Sequence, residues 1–246
     1  MGISLKSRRS KISPLKLTVL LGGAFVVLLI GGWLAYRWFG RTAGRSTLVY
    51  RYLRDPQAHA DWAIRAGERC GDAPFVMPTD GIIGYLWGDP FRPGHSHQGI
   101  DVFGSTTLGE SPVVAAYDGY LTRNPDWRSA VILRHPQDPL SPGRQIWTYY
   151  AHMADPEGDS YISEAFPPGT TDVFVKAGTL LGYQGNYSGY PDSPTGIHLH
   201  FSIVLDDGYG NYRNELEIRN TLDPLPYLGF DPSASYDGGA LVLCEP

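Results

Sequence analysis

Short histidine motifs in this chain have spacings that suit metal chemistry. The segment HQGID carries His97 and Asp101 four positions apart, and HLH carries His198 and His200 two positions apart. In an extended chain, side chains two or four positions apart project to the same side, so each pair can converge on one point. Imidazole nitrogen and carboxylate oxygen are ordinary zinc ligands, and a set of three leaves one coordination position for water, as catalysis requires.

Each motif also has a simpler interpretation. His198 and His200 together could be two polar rings on a solvent-facing strand. His152, in the segment TYYAHM, could be a hydrogen-bonded strand residue with no catalytic role. His95 lies two positions before His97, and as a fourth ligand it would turn a catalytic site into a structural one.

The elements that must position these residues are predicted to be strands. From about residue 73 onward, β-branched and aromatic runs such as SAVILRH, RQIWTYYAHM and IHLHFSIVL alternate with Gly, Pro, Asp and Asn turns. This spacing of short strands is typical of a sandwich or barrel. The sequence therefore predicts an all-β domain.

The motifs HQGID, YYAHM and TGIHLHF, in this order, resemble those of the lysostaphin-type zinc metallopeptidases, the LytM-domain murein hydrolases. The segments SPVVAAYDG, VKAGTLLGYQGN and DPLPYL extend the resemblance to about residues 74–229. It implies an antiparallel β-sheet sandwich or half-barrel as the catalytic domain.

The resemblance also implies a role for each residue of the motifs. The family's zinc ligands fall on His97, Asp101 and His200, and its two catalytic histidines fall on His152 and His198. The implied cofactor is Zn²⁺. The implied reaction is hydrolysis of peptide bonds in peptidoglycan stem peptides or cross-bridges.

Three further positions bear on the comparison with this family. His135 has a family counterpart on a structural strand, so we expect it to be non-catalytic. Ile197 stands where the family commonly has Pro, and Ser202 stands where it often has Glu. Neither of these two positions is a ligand, but Ser202 could weaken a contact that orients the site.

Some members of the family lack ligands and act without catalysis. They bind peptidoglycan or activate other hydrolases, so a non-enzymatic activator or peptidoglycan-binding envelope protein is the main alternative. A structural zinc domain acting as an envelope scaffold is the other. All five expected site residues are present here, which favours the enzyme. The sequence does not identify regulatory envelope partners.

Charge is divided sharply along the chain. Residues 1–54 hold ten of the 20 Lys and Arg residues and no acid, whereas residues 55–246 hold all 25 acidic residues. Binding to nucleic acid requires clustered cations that neutralise phosphates. The acidic body therefore predicts no nucleic-acid partner.

An uncharged run accounts for the basic start of the chain. Residues 17–36, LTVLLGGAFVVLLIGGWLAY, would form a helix about 30 Å long, which matches the apolar core of a bilayer. A cleaved signal peptide and a buried core helix are the alternatives. We expect an uncleaved, single-pass anchor in the cytoplasmic (inner) membrane.

The basic residues on the two sides of this run are too evenly divided to fix its orientation. The implied substrate lies outside the membrane, so we expect the catalytic domain to be extracytoplasmic. The predicted organisation is a basic cytoplasmic tail, a membrane helix, a connector, the peptidase domain and a C-terminal tail, at residues 1–16, 17–36, 37–72, 73–230 and 231–246.

The chain has two cysteines, Cys70 and Cys244, which bracket the β region. Outside the cytoplasm this arrangement permits a disulfide. A pair of buried free thiols is the alternative.

Overall fold

The chain is described from a computed structural model, which covers residues 13–36, 40–90, 94–233 and 240–244. Residues 1–12 of the predicted basic tail, and residues 234–239 and 245–246 of the predicted C-terminal tail, lie outside the described residues. The chain divides into two compact units, Met1–Gly40 and Arg41–Pro246. The finer domain boundaries stay predictions.

The first unit contains the helix α1 (Pro14–Ala35). Its described side chains from Val19 to Tyr36 are exposed. Among the residues described, no helix combines the length and the apolar character that a membrane crossing requires. The expected single-pass anchor at residues 17–36 is therefore not supported by the structure.

The described part of the second unit consists mainly of short strands. These are β1 (Ile82–Tyr85), β2 (Ile100–Phe103), β3 (Pro112–Val114), β4 (Gly119–Thr122), β5 (Val131–His135), β6 (Ile146–Ala151), β7 (Val173–Val175), β8 (Leu180–Tyr183), β9 (Leu199–Leu205) and β10 (Thr221–Leu222). Two α-helices accompany them, α2 (Arg41–Arg54) and α3 (Leu225–Leu228), with 3-10 turns at Ala60–Trp62 and Ile218–Asn220.

Eight of these strands form one large sheet. Their order is β1-β2-β9-β6-β5-β4-β7, with β10 added beside β9, and β3 and β8 form a separate two-stranded sheet. Every pairing between these strands is antiparallel. The prediction of an antiparallel all-β domain is confirmed.

Strand β9 lies near the middle of the large sheet and is buried along most of its length. Leu199, Phe201 and Ile203 alternate along one face and belong to the main hydrophobic core. Because side chains alternate along a strand, His200 and Ser202 project from the other face. The apolar alternation therefore fixes which side of the sheet carries the histidines.

Helix α2 packs on the edge of this sheet. Val49 and Tyr52 of the helix form a small apolar cluster with Ile82 and Phe103 of β1 and β2. Part of the predicted connector is thus a component of the folded second unit.

The two cysteines form a disulfide, with the Cα atoms of Cys70 and Cys244 5.3 Å apart. Cys70 is buried in the main core, and Cys244 packs against it. The bond ties the residues before β1 to the end of the described chain. The alternative of two free thiols is wrong.

His135, at the end of β5, is fully buried in the core. Its Nδ1 donates to the carbonyl of Asp118 at 2.8 Å, and its Nε2 lies 2.8 Å from the Thr148 hydroxyl. Burial lowers the pKa of His135 to about 4, so the ring stays neutral at ordinary pH. These contacts fit the structural role expected of it.

Candidate metal centre

The three expected ligands converge at the junction of β2 and β9. Asp101 and His200 are direct partners in the register of these strands, and His97 lies just before β2. The Oδ1 atom of Asp101 lies 3.1 Å from Nε2 of His97 and 2.9 Å from Nδ1 of His200. The two ring nitrogens are 3.0 Å apart. Among the described residues, these three form the one group able to hold a metal ion.

A glycine makes this convergence possible. A Cβ atom at Gly99, between His97 and Asp101, would lie 2.2 Å from the carbonyl oxygen of Phe201 on β9. Such a contact is too short for a side chain, so only glycine lets the HQGID segment lie directly on the neighbouring strand. The glycine thereby brings His97 within reach of His200.

Hydrogen bonds fix which nitrogen of each ligand faces the centre. Nδ1 of His97 lies 3.0 Å from the carbonyl oxygen of Leu86, and Nε2 of His200 lies 2.9 Å from a carboxylate oxygen of Glu215. A carbonyl or carboxylate only accepts, so in the neutral rings these nitrogens carry the protons. Nε2 of His97 and Nδ1 of His200 then present lone pairs to each other and to Asp101.

This donor set fits zinc. Three such donor atoms about 3 Å apart need a positive charge between them, which a proton on His200 supplies in the metal-free chain and a metal ion can supply in its place. Ligands at zinc bond lengths of about 2.0–2.2 Å in a tetrahedron are separated by roughly 3.3 Å, which is close to the observed spacing. Two nitrogens and one oxygen are also an ordinary zinc set.

The charges around the site favour a cation as well. Burial raises the pKa of Asp101, but the charges of His97 and His198 and hydrogen bonds from the histidines lower it further, to well below its usual value. Burial lowers the pKa of His200, but its hydrogen bonds to Asp101 and Glu215 outweigh this and raise it. Two ionised carboxylates therefore stabilise positive charge at this point.

The two expected catalytic histidines lie beside the ligand group. Nε2 of His198 is 3.5 Å from Oδ1 of Asp101, and the ring of His152 stacks at an angle on that of His198 with centroids 4.6 Å apart. Each donates from Nδ1 to a backbone carbonyl at 2.7 Å, that of Gly196 for His198 and that of Tyr187 for His152. The Nε2 atom of each neutral ring therefore carries a lone pair.

His152 has an unusual backbone. It follows directly after β6 with φ of 69°, a left-handed conformation that is uncommon for a residue other than glycine. Burial and the positive charges of His198 and His200 lower its pKa to about 3, so the ring is neutral at ordinary pH. A neutral ring can accept a proton.

Gly185 brings the segments of these two histidines together. The amide of His198 donates to the Gly185 carbonyl at 3.2 Å. A Cβ atom at Gly185 would lie 2.1 Å from the carbonyl oxygen of Ala154 and 2.6 Å from that of His152. This glycine therefore allows the backbone segments that carry the two histidines to approach closely.

A cavity of about 360 Å³ opens over the site, and all five predicted site residues line it. Tyr149, Ser188, Thr195 and Leu216 form other parts of its wall. His95 also lines this cavity but contributes no atom to the ligand group. The cavity leaves room for a substrate segment beside the metal ligands.

Glu215 is the site residue that the motifs did not identify. Burial raises its pKa, but its hydrogen bond with His200 and the charge of that ring lower it further, so the carboxylate is ionised. It lies in the loop after β9, in none of the motif segments. The one sequence signal that pointed to such a residue is Ser202, which stands where the resembled family often has Glu and so leaves the strand without an acidic partner for the site.

Comparison with known proteins gave structural matches only. No family model and no curated protein matches the chain. Csd3 of Helicobacter pylori matches with 19% identity over 63% of this chain and 34% of its own, with a TM-score of 0.37. The chain thus spans about a third of that relative.

Two shorter structures match over most of their own length. LytU matches with 22% identity over 64% of this chain and 85% of its own, with a TM-score of 0.37. The catalytic domain of the prophage-encoded M23 protein EnpA from Enterococcus faecalis matches with 21% identity over 60% and 93%, with a TM-score of 0.35. The chain resembles structures of the LytM and M23 peptidase family.

Proposed function

We propose that this chain is a zinc metalloendopeptidase that hydrolyses peptide bonds in the stem peptides or cross-bridges of peptidoglycan. The observation that carries the proposal is the buried group formed by His97, Asp101 and His200, with His152 and His198 beside it in the same cavity. The resemblance of the motifs supplies the class of substrate.

The residues at the site match the steps of such a hydrolysis. Zinc held by the three ligands would lower the pKa of a bound water to about 7 and polarise the scissile carbonyl. His152 and His198, each with a lone pair on Nε2, can accept the proton of the attacking water and return it to the leaving amine. The protonated ring can also donate a hydrogen bond to the developing oxyanion.

A non-enzymatic activator would use the same fold without turnover, and a structural zinc domain would need a fourth protein ligand. Among the described residues, the ligand group has only three members, His97, Asp101 and His200, which favours a site that leaves the fourth coordination position open. His95, which lines the cavity, is the control residue for the structural alternative.

The test is zinc content by mass spectrometry, together with the release of free amines from purified peptidoglycan, for the full chain. We expect the wild-type chain to bind one zinc and to release amines. His97→Ala should lose both properties, and His95→Ala should keep both. Full zinc without any amine release would support the activator, and loss of zinc in His95→Ala would support the structural site.

We also propose that residues 17–36 anchor the chain in the inner membrane, with the second unit outside the cytoplasm. The uncharged run supports the anchor, and the disulfide supports a location outside the cytoplasm.

Sodium carbonate extraction of membranes tests the anchor. The wild-type chain should stay in the pellet, and Val27→Asp with Leu29→Asp should move it to the supernatant. Leu140→Asp, an exposed apolar residue of the second unit, serves as the control and should stay in the pellet. A wild-type chain released by carbonate would contradict the anchor, and protection from protease in intact spheroplasts would reverse the orientation.

A further inference from the structure

His200 differs from the other three histidines of the site in the nitrogen that faces the centre. His97, His152 and His198 each place Nδ1 on a backbone carbonyl, at 3.0, 2.7 and 2.7 Å. His200 instead turns Nδ1 toward Asp101 and His97, and its Nε2 meets the carboxylate of Glu215 at 2.9 Å. The partner of His200 is therefore a side chain, which a substitution can remove.

The backbone on both sides of Glu215 is held in place. The buried side chain of Asn220 donates to the carbonyl of Asn214 at 2.9 Å, and Gln98 donates to the carbonyl of Leu216 at 3.0 Å. The side chain of Glu215 is only 15% exposed. A carboxylate fixed in this way, with little access to water, is held in position to accept a hydrogen bond from His200.

Glu215 contacts the nitrogen of His200 that faces away from the ligand group, so it is not placed to be a ligand itself. Its oxygen meets Nε2, whereas the ligand group uses Nδ1, and Glu215 is not part of that group. Its contact with the site therefore passes through the imidazole ring of His200.

We propose that Glu215 is a positioning residue, which accepts the Nε2–H of His200 and so holds the lone pair of Nδ1 toward the metal. This rests on the proposed zinc site. Without this acceptor the proton can move to Nδ1, and the ring can rotate; both changes remove a ligand. Carboxylate partners of metal-bound histidines have this effect in other metal sites.

The role also accounts for the departure at Ser202. Ser202 is fully buried and lies two positions from His200, on the same face of β9. Ser202 carries no carboxylate, and Glu215 reaches the ring of His200 from the following loop instead. The loop thus supplies what the strand lacks.

The experiment measures zinc affinity by competition with a chromogenic chelator, for the full chain and three variants. Glu215→Ala removes the acceptor and should weaken zinc binding by about 10- to 100-fold. Glu215→Gln keeps an acceptor oxygen, so its zinc affinity should fall clearly less than that of Glu215→Ala. Glu217→Ala removes a carboxylate two positions away that pairs with the exposed Arg219, and should bind zinc within about twofold of wild type.

Thermal unfolding of the zinc-free proteins checks that the variants are folded. Zinc affinity of Glu215→Ala within about twofold of wild type would overturn the inference. An equal loss in Glu215→Gln and Glu215→Ala would overturn the role as acceptor.

The failure of the proposed function gives a different result. One such result is that the variants show the expected order of zinc affinities while the wild-type chain releases no amines from peptidoglycan. That result would contradict the peptidase activity and leave the role of Glu215 intact. A wild-type chain that binds no zinc would sink both.

Discussion

Nε2 of His97 and Nδ1 of His200 lie 3.0 Å apart, although 103 positions separate the two residues in the chain. The two rings use different nitrogens because their other nitrogens have different partners, a backbone carbonyl for His97 and the carboxylate of Glu215 for His200. The orientation of His97 is thus set by the main chain, and that of His200 by a side chain.

Catalysis and metal binding should separate among the site histidines. We expect His152→Ala and His198→Ala to keep nearly full zinc while the rate of peptidoglycan hydrolysis falls by about 10²-fold or more, because each loses a proton acceptor or an oxyanion donor. His200→Ala should lose both zinc and activity. Zinc content and solubilisation rate are measured side by side, and wild-type hydrolysis by His198→Ala would show that its ring only lines the cavity.

Gly99→Ala should disturb the ligand group through the backbone. Its new Cβ atom would lie 2.2 Å from the Phe201 carbonyl oxygen, so β2 and β9 must separate. We expect a loss of about 1–3 kcal/mol in the free energy of unfolding, and weaker zinc binding. Gly196→Ala is the matched control, since its nearest neighbour would be 3.9 Å away. Equal stability of the two variants, from denaturant unfolding, would contradict the close-packing argument.

Acid should destabilise the fold through His135. The folded pKa of about 4 lies below the unfolded value of 6.5, so between these values the unfolded chain binds a proton that the folded ring does not. Stability is therefore fully present above pH 6.5 and decreases as the pH falls to 4, by about 3 kcal/mol.

His135→Gln should remove this part of the pH dependence. Denaturant unfolding of both proteins, with EDTA present to exclude metal effects, gives the comparison across that range. The same slope in wild type and variant would show that His135 is not the group responsible.

The disulfide should contribute strongly to stability. The bond between Cys70 and Cys244 closes a loop of 174 positions, which on the chain-entropy model is worth up to about 5 kcal/mol. Without reductant, the double variant Cys70→Ser with Cys244→Ser should unfold at a lower denaturant concentration than wild type. With reductant present, the two proteins should unfold at the same denaturant concentration. Two titratable thiols in protein purified from its native compartment would refute the bond.

The resemblance of the motifs predicted the ligand group, and their spacing is compatible with it. His97 with Asp101, and His198 with His200, are spaced for one face, and the apolar residues between them determine that the other face is the core. The Gly and Pro turns likewise predicted the antiparallel strands. These signals are local, so they can be identified without a structure.

Glu215 could not be found in this way, because its position depends on how a loop returns to the sheet. No periodicity connects it with His200, and its place is set by Asn220 and Gln98, which hold the neighbouring backbone. The pairing of β2 with β9 is likewise a tertiary property. The substitution of Ser for Glu at position 202 indicated a missing contact but not its replacement.

The central position of β9 has a consequence for the order of events during synthesis. A growing chain that ends at Asp101 holds two of the three ligands, and the third follows 99 positions later, with Glu215 another 15 beyond it. Contacts between distant positions form late in folding. The proposed zinc would therefore bind after the middle of the sheet has assembled, in contrast to the metal of a zinc finger, which drives the folding of its domain.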